Sequence, residues 1–190
     1  MGILREPAAY VQALKLPAGF SVCELGDQWM SGHKTPQLAQ DWYKALGCER
    51  YVSVDGNGKA TVTADLNRPL ESQGMGLAAF AGSFDLVTDF GTSEHIFDQA
   101  QVWRTMHWLT NVGGYLMFDR PTEGYPGHCY YRIDLCLLQD VARANRYYVV
   151  RLEVGKTPRG KLIRGVFKKT SGATFVIPQQ GRYLESLVIR

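Results

Sequence analysis

Two periodicities of apolar residues alternate along the chain. Residues 20–26, F-S-V-C-E-L-G, place Val22, Cys23 and Leu25 in one apolar run with Glu24 inside it. Such a run suits a strand covered on both faces, as in a parallel sheet. Similar runs at 51–54, 84–89 and 114–118 each stop at or just before an acid, Asp55, Asp89 and Asp119. Between them the period lengthens. Leu38, Trp42, Ala45 and Leu46 share one helical face, with Thr35 predicted as N-cap, Pro36 at the first helical position and Gly47 as C-cap. A second helix is predicted from Ser93 to about Thr110, with Ile96, Ala100, Trp103 and His107 facing inward and His107 packed or hydrogen-bonded against the sheet. A third is capped by Asp134 and turns Leu138, Val141 and Ala142 inward, and a leading helix covers residues 7–14.

The connection 56–59 is too short for a parallel crossover, so the alternating stretch 60–66 is expected to form a hairpin or an irregular extension. Residues 72–82 read as a mobile loop or a short helix across the mouth of the sheet. Residues 122–131 read as a glycine- and aromatic-rich loop at the same end as Gly26, Asp55 and Asp89. Three β-like runs, 147–154, 162–169 and 174–177, follow the last helix. The expected fold is α/β, a mainly parallel sheet with helices on both faces and an antiparallel C-terminal strand pair.

At 190 residues the chain is expected to be one domain, with a leading helix at 1–19, a core at 20–154 and C-terminal strands with a basic segment at 155–190. No stretch approaches the roughly 18 apolar residues of a membrane span, and the first residues lack the apolar core of a secretion signal. Cys23, Cys48, Cys129 and Cys136 show no C-x-x-C spacing and read as reduced thiols, which points to the cytoplasm. A disulfide or a zinc site is the alternative. The net charge of +3 is unevenly spread. From residue 151 onward nine Lys or Arg face two Glu, a net +7 that leaves −4 for the first 150 residues. This reads either as solvated strands and loops or as a basic surface for an anionic substrate or partner. Nucleic acid remains open as that partner, although the basic residues form no recognised motif.

Strand, glycine turn, helix, strand and acid form the opening unit of a nucleotide-binding α/β sheet, with Asp55 placed to reach ribose hydroxyls. Further residues sharpen the likeness. C-E-L-G at 23–26, V-D-G-N at 54–57, A-D-L at 64–66, F-D-L-V-T-D-F-G-T-S-E-H at 84–95 and N-V-G-G-Y-L-M-F at 111–118 occur in that order. The set resembles the motifs of the class I S-adenosylmethionine-dependent methyltransferases over residues 20–154. That resemblance implies a Rossmann-like fold, S-adenosylmethionine as cofactor, and a cofactor site built from Glu24, Gly26, Asp55, Asp65, Leu66, Asp89 and Phe90. Asp55 would take the ribose, and Asp65 with Leu66 would lie against the adenine.

Two departures stand out. The family usually carries G-x-G where this chain has Gly26-Asp27-Gln28, so either the loop takes another path or cofactor binding is weakened or lost. The crossover helix before Asp65 is missing. Glu94-His95 is also similar to the E-x-x-E-H with which ubiquinone-pathway O-methyltransferases hold a divalent cation. Gly91 replaces the first glutamate here, so no metal site is expected; Glu94 reads as a helix-start acid or as a catalytic group.

Methyl transfer needs the nucleophile held in line and a proton removed. His95 and His128, both on loops beyond the carboxyl ends of strands, are the candidate bases. The expected function is methylation of a hydroxyl or amine on a small-molecule or saccharide-type acceptor. The competing readings are a catalytically degenerate binding protein on this fold and an NAD-dependent oxidoreductase. The absence of G-x-G-x-x-G counts against the latter.

Overall fold

The computed structural model describes residues 2–31, 37–74 and 76–180. In chain order the strands and α-helices are β1 (Gly2–Ile3), α1 (Arg5–Ala13), β2 (Ser21–Leu25), β3 (Trp29–Met30), β4 (Gln37–Leu38), α2 (Ala39–Ala45) and β5 (Arg50–Asp55). These are followed by β6 (Val62–Thr63), β7 (Phe84–Phe90), α3 (Gln99–Leu109), β8 (Thr110–Gly124), α4 (Leu135–Ala144), β9 (Tyr148–Thr157) and β10 (Gly160–Lys168). Among the described residues, seven strands form the main sheet in the order β6-β5-β2-β7-β8-β10-β9. The five from β6 to β8 run parallel, and β10 pairs antiparallel with both β8 and β9. A small second sheet joins β1, β3 and β4.

Side chains leave each strand alternately, so the sheet builds two cores. On one face Cys23, Leu25, Val87, Leu116 and Phe118 pack with Trp103 and Met106 of α3 and Leu138 and Val141 of α4. On the other, Val22, Leu86 and Met117 meet Val11 of α1 and Trp42 and Tyr43 of α2. Helices therefore cover both faces, and the double burial explains why β2 and β7 read as near-continuous apolar runs.

Several local expectations are corrected. The predicted start of α2 at Thr35-Pro36 lies outside the described residues; the helix itself spans Ala39–Ala45, with Leu38 exposed in β4. Gly47 does end it, at φ +91° with its N–H on Lys44 O. Ser93 does not open a long helix. Residues Ser93–His95 make one 3₁₀ turn, and α3 begins later, capped by Asp98, whose carboxylate accepts the Gln101 N–H at 2.8 Å. Asp134 caps α4 as predicted, on Cys136 N.

The stretch after Asp55 pairs parallel with β5, not as a hairpin. No crossover helix is needed because only two residues pair. Asn57 Oδ1 accepts the N–H groups of Lys59 and Ala60, and Ser53 and Thr61 exchange hydrogen bonds along the strand edge, so the chain doubles back before it runs forward again. Strand β8 is longer than predicted and takes in Thr122, Glu123 and Gly124. Residues 174–177 form no strand. The described part of 72–82 carries one 3₁₀ turn, Leu77–Phe80, and a second, Leu70–Ser72, ends at its start.

The cysteines are all free. No helix among the described residues is long and apolar enough to cross a membrane. Part of the basic C-terminal charge is structural: Arg164 is buried against Asp119 at 3.2 Å, and Lys169 is buried with its ammonium on His107 O and Thr110 O.

Candidate functional site

Parallel strands bring their carboxyl ends to one edge, and here Leu25 pairs with Val54 on one side and Asp89 on the other. The chain must turn sharply after Leu25. Gly26 does so at φ +96°, where an added Cβ would meet Thr92 Oγ1 and lie 2.6 Å from Gln28 Nε2. Beyond this turn two cavities of 520 and 410 Å³ share Asp55, Thr92 and Ile96 and so form one groove. Asp65, Leu66 and Gln73 line one end of it; Gln28, His95 and His128 line the other. A third cavity of 290 Å³ shares Gly91 with the groove and is walled by Leu4, Phe90, Pro121 and Leu162, with Glu94 and Asp119 among its polar groups.

Asp55 sits at the middle of the groove. One carboxylate oxygen accepts Asp27 N and the other Asn57 N, both at 3.0 Å, which leaves each oxygen a further lone pair. Asp65 accepts two hydrogen bonds from Asn67, at 2.9 and 2.8 Å, and these hold its carboxyl below the usual range. Gln73 Oε1 takes the Asp65 N–H at 2.8 Å and fixes this loop, with Leu66 buried in the wall.

Two predicted acids are sealed away from the groove. Glu24 is fully buried in the layer under α2, where Tyr51 donates to it at 2.6 Å. Asp89 accepts the N–H groups of Thr92 and Ser93 and the Ser93 hydroxyl, and lies 3.6 Å from the Arg120 guanidinium. It shapes the turn that carries Glu94 and His95.

At the groove's far end the two candidate histidines come together. Their rings are 5.0 Å apart in a T-shaped arrangement, and each Nε2 lies 4.0 Å from Glu94 Oε1. The loop bearing His128 is fastened to Glu94, whose carbonyl accepts the N–H groups of Tyr130 and Tyr131 at 3.0 and 3.2 Å. The Glu94 side chain is 0 % exposed and neither oxygen has a hydrogen-bond partner. Burial first, and Asp89 second, push its carboxyl up to about 8. Burial and then His128 hold His95 below its ordinary value. His107, in contrast, is packed away from the groove, bonded to Tyr147 OH at 2.6 Å and Ala173 O at 2.8 Å.

No protein-family model and no curated protein sequence matches the chain. Solved structures do. The Burkholderia thailandensis 1,6-didemethyltoxoflavin-N1-methyltransferase, with 1,6-didemethyltoxoflavin and S-adenosylhomocysteine bound, is similar over 88 % of this chain and 78 % of its own, at 16 % identity and TM-score 0.58. The N-methyltransferase NodS from Bradyrhizobium japonicum covers 87 % and 97 %, at 17 % identity and 0.58. A putative methyltransferase from Bacillus halodurans covers 88 % and 100 %, at 11 % identity and 0.60.

The chain has the class I methyltransferase fold. Within this methyltransferase fold, sequence reasoning missed Gln28, Thr92 and Ile96. Gln28 takes the place of the second glycine and donates to Thr92 Oγ1 at 2.9 Å, and Thr92 in turn donates to Leu25 O at 2.9 Å. The departure from G-x-G was the available signal for Gln28. Ile96 had none, because its apolar character reads equally well as the inner face of a helix.

Proposed function

We propose that the chain is an S-adenosylmethionine-dependent methyltransferase that modifies a hydroxyl or amine of a small acceptor. One observation carries this reading: a continuous groove runs from Asp65 and Leu66, past Asp55, to the Glu94, His95 and His128 cluster, and a separate cavity opens beside Glu94. When bound, S-adenosylmethionine supplies a methyl group on a sulfonium. Asp55, with a free lone pair on each oxygen, would hold the ribose, and Asp65 with Leu66 would flank the adenine. At the other end Gln28 Oε1 is a buried acceptor without a partner, which suits an ammonium group of the methionine moiety. The residues therefore fit the cofactor, Gln28 by a polar contact where the usual glycine would give space. His95 and His128 line the groove beside Glu94, and in the absence of a bound ion either would be the base for the acceptor's proton.

The 290 Å³ cavity would hold a small acceptor. Its wall is largely apolar, with Asp119 already paired to Arg164 and Glu94 pushed up to about 8 by burial, so shape and apolar contact rather than charge would select the acceptor. Gly2 and Leu4 close one side and Leu162 another, so residues 1–190 would act as one domain in this reading.

The degenerate binding protein remains the second reading, favoured by Gln28 lying over Gly26. Calorimetry with S-adenosylhomocysteine decides between a working cofactor site and a lost one, with NAD and a short oligonucleotide as parallel ligands. Binding is expected, and Asp55→Ala should weaken it about tenfold to a hundredfold, since a hydrogen bond to a charged group is worth roughly 1.5–3 kcal/mol. No heat at millimolar S-adenosylhomocysteine would remove the enzyme reading.

A further inference from the structure

We infer that Glu94, His95 and His128 form a binding site for a divalent transition-metal ion. The carboxylate oxygen and the two imidazole nitrogens all lie within 4.8 Å of one another, and each nitrogen is 4.0 Å from Glu94 Oε1. Ligand bonds of about 2.0–2.2 Å place donor atoms of a tetrahedral site about 3.4 Å apart. The cluster therefore needs to close around an ion by about 0.6 Å at each imidazole–carboxylate pair and by up to about 1.4 Å across its widest pair. Side-chain rotation of the two histidines, one half-exposed and the other partly exposed, is the movement this needs.

Hydrogen bonding gives the second reason. Both Glu94 oxygens and His128 Nε2 are buried and without a partner, three orphaned groups aimed at the same space. Local charge gives the third. Asp89 has Arg120 at 3.6 Å and Asp119 has Arg164 at 3.2 Å, whereas among the described residues Glu94 has only the two imidazoles within 4.0 Å, with Arg120 acting on it from further off. A cation between the three ligands completes the set of counter-charges. Two imidazoles with one carboxylate suit zinc, cobalt, iron or manganese in the divalent state better than magnesium or calcium, which prefer oxygen donors throughout.

Sequence spacing shows two of the three ligands, and the loss of the first glutamate at Gly91 argues against a site until the third is seen. Glu94 and His95 are adjacent, but the third ligand arrives from the loop after β8, held there by the bonds of Tyr130 and Tyr131 to Glu94 O. Three protein ligands leave coordination positions open, as sites that bind a further ligand do. Glu94 also borders the 290 Å³ cavity, so an open position would face the acceptor's oxygen or nitrogen. This last role, and not the binding of the ion, rests on the methyltransferase reading.

The test uses the untagged 190-residue chain stripped with a chelator, then titrated with Co²⁺ by visible absorption and with Zn²⁺ by calorimetry, with no cofactor or acceptor present. One equivalent of either ion should bind. His128→Ala and Glu94→Gln should each weaken uptake at least about tenfold, as loss of even an outer partner of a metal ligand commonly does. Circular dichroism checks the fold of each variant, and His95→Ala, on a half-exposed side chain, substitutes if Glu94→Gln unfolds. Absence of stoichiometric uptake, or uptake equal in wild type, His95→Ala and His128→Ala, would overturn the inference. Uptake without S-adenosylhomocysteine binding would support the metal site and count against methyl transfer. S-adenosylhomocysteine binding without ion uptake would do the reverse.

Discussion

Glu24 should make the protein less stable as pH rises, and Glu24→Gln should abolish that dependence. The carboxyl has no exposed surface, and Tyr51 donates to one oxygen at 2.6 Å while the other has no partner. Burial is the main cause that pushes it from 4.5 up to about 8. The folded chain therefore holds a proton on Glu24 that the unfolded chain releases above its lower value. Stability from this group is complete below about pH 4.5 and falls as pH rises through 8, by about 1.4 kcal/mol per unit. Between pH 5 and pH 8 the loss is about 4 kcal/mol, a large share of the ~5–15 kcal/mol that holds a typical domain together. In Glu24→Gln the amide oxygen still accepts from Tyr51, and its NH₂ lies in the layer that holds the unpartnered Tyr43 hydroxyl. The other raised carboxyls, Glu94 and Asp119, are common to both proteins and cancel in the difference. Urea unfolding of both at pH 5, 6.5 and 8 is the assay. With a slope near 2 kcal/mol per molar, the variant's midpoint should move about 2 M further above the wild type's at pH 8 than at pH 5. Parallel pH curves would show that Glu24 is ionised in the folded state and refute the reasoning.

Two further outcomes are expected. Burial, with Lys169 nearby, brings the His107 imidazole down to about 4, so its contribution is present above pH 6.5 and is lost as pH falls toward 4; acid titration of stability should show about 3 kcal/mol from this group, removed in His107→Gln. Gly165 of β10 lies against the Phe118 ring, and a Cβ there would fall inside it. Gly165→Ala should cost about 1–3 kcal/mol and lower the melting midpoint by several degrees in calorimetry, while an unchanged midpoint would mean the ring moves freely.

The amino-acid sequence by itself determined the four central strands, β2, β5, β7 and β8, and their parallel arrangement. Apolar runs at β2, β5, β7 and β8 can be buried only as strands covered on both sides, and Gly26 marks a φ of +96° that other residues rarely adopt. Asp134 likewise announced α4, because a capping carboxylate acts on the N–H groups next to it in the chain. What depended on contacts across the chain was not legible. With both sheet faces apolar, strand period alone could not say which face Glu24 takes, and pairing with Tyr51 under α2 puts it away from the groove. Helix α3 starts at Asp98 and not at Ser93 because Asp89 has already claimed the Ser93 and Thr92 N–H groups for a separate turn. Glu94, His95 and His128 meet because two backbone hydrogen bonds tie a distant loop to one carbonyl, and no local pattern encodes a bond formed across the fold.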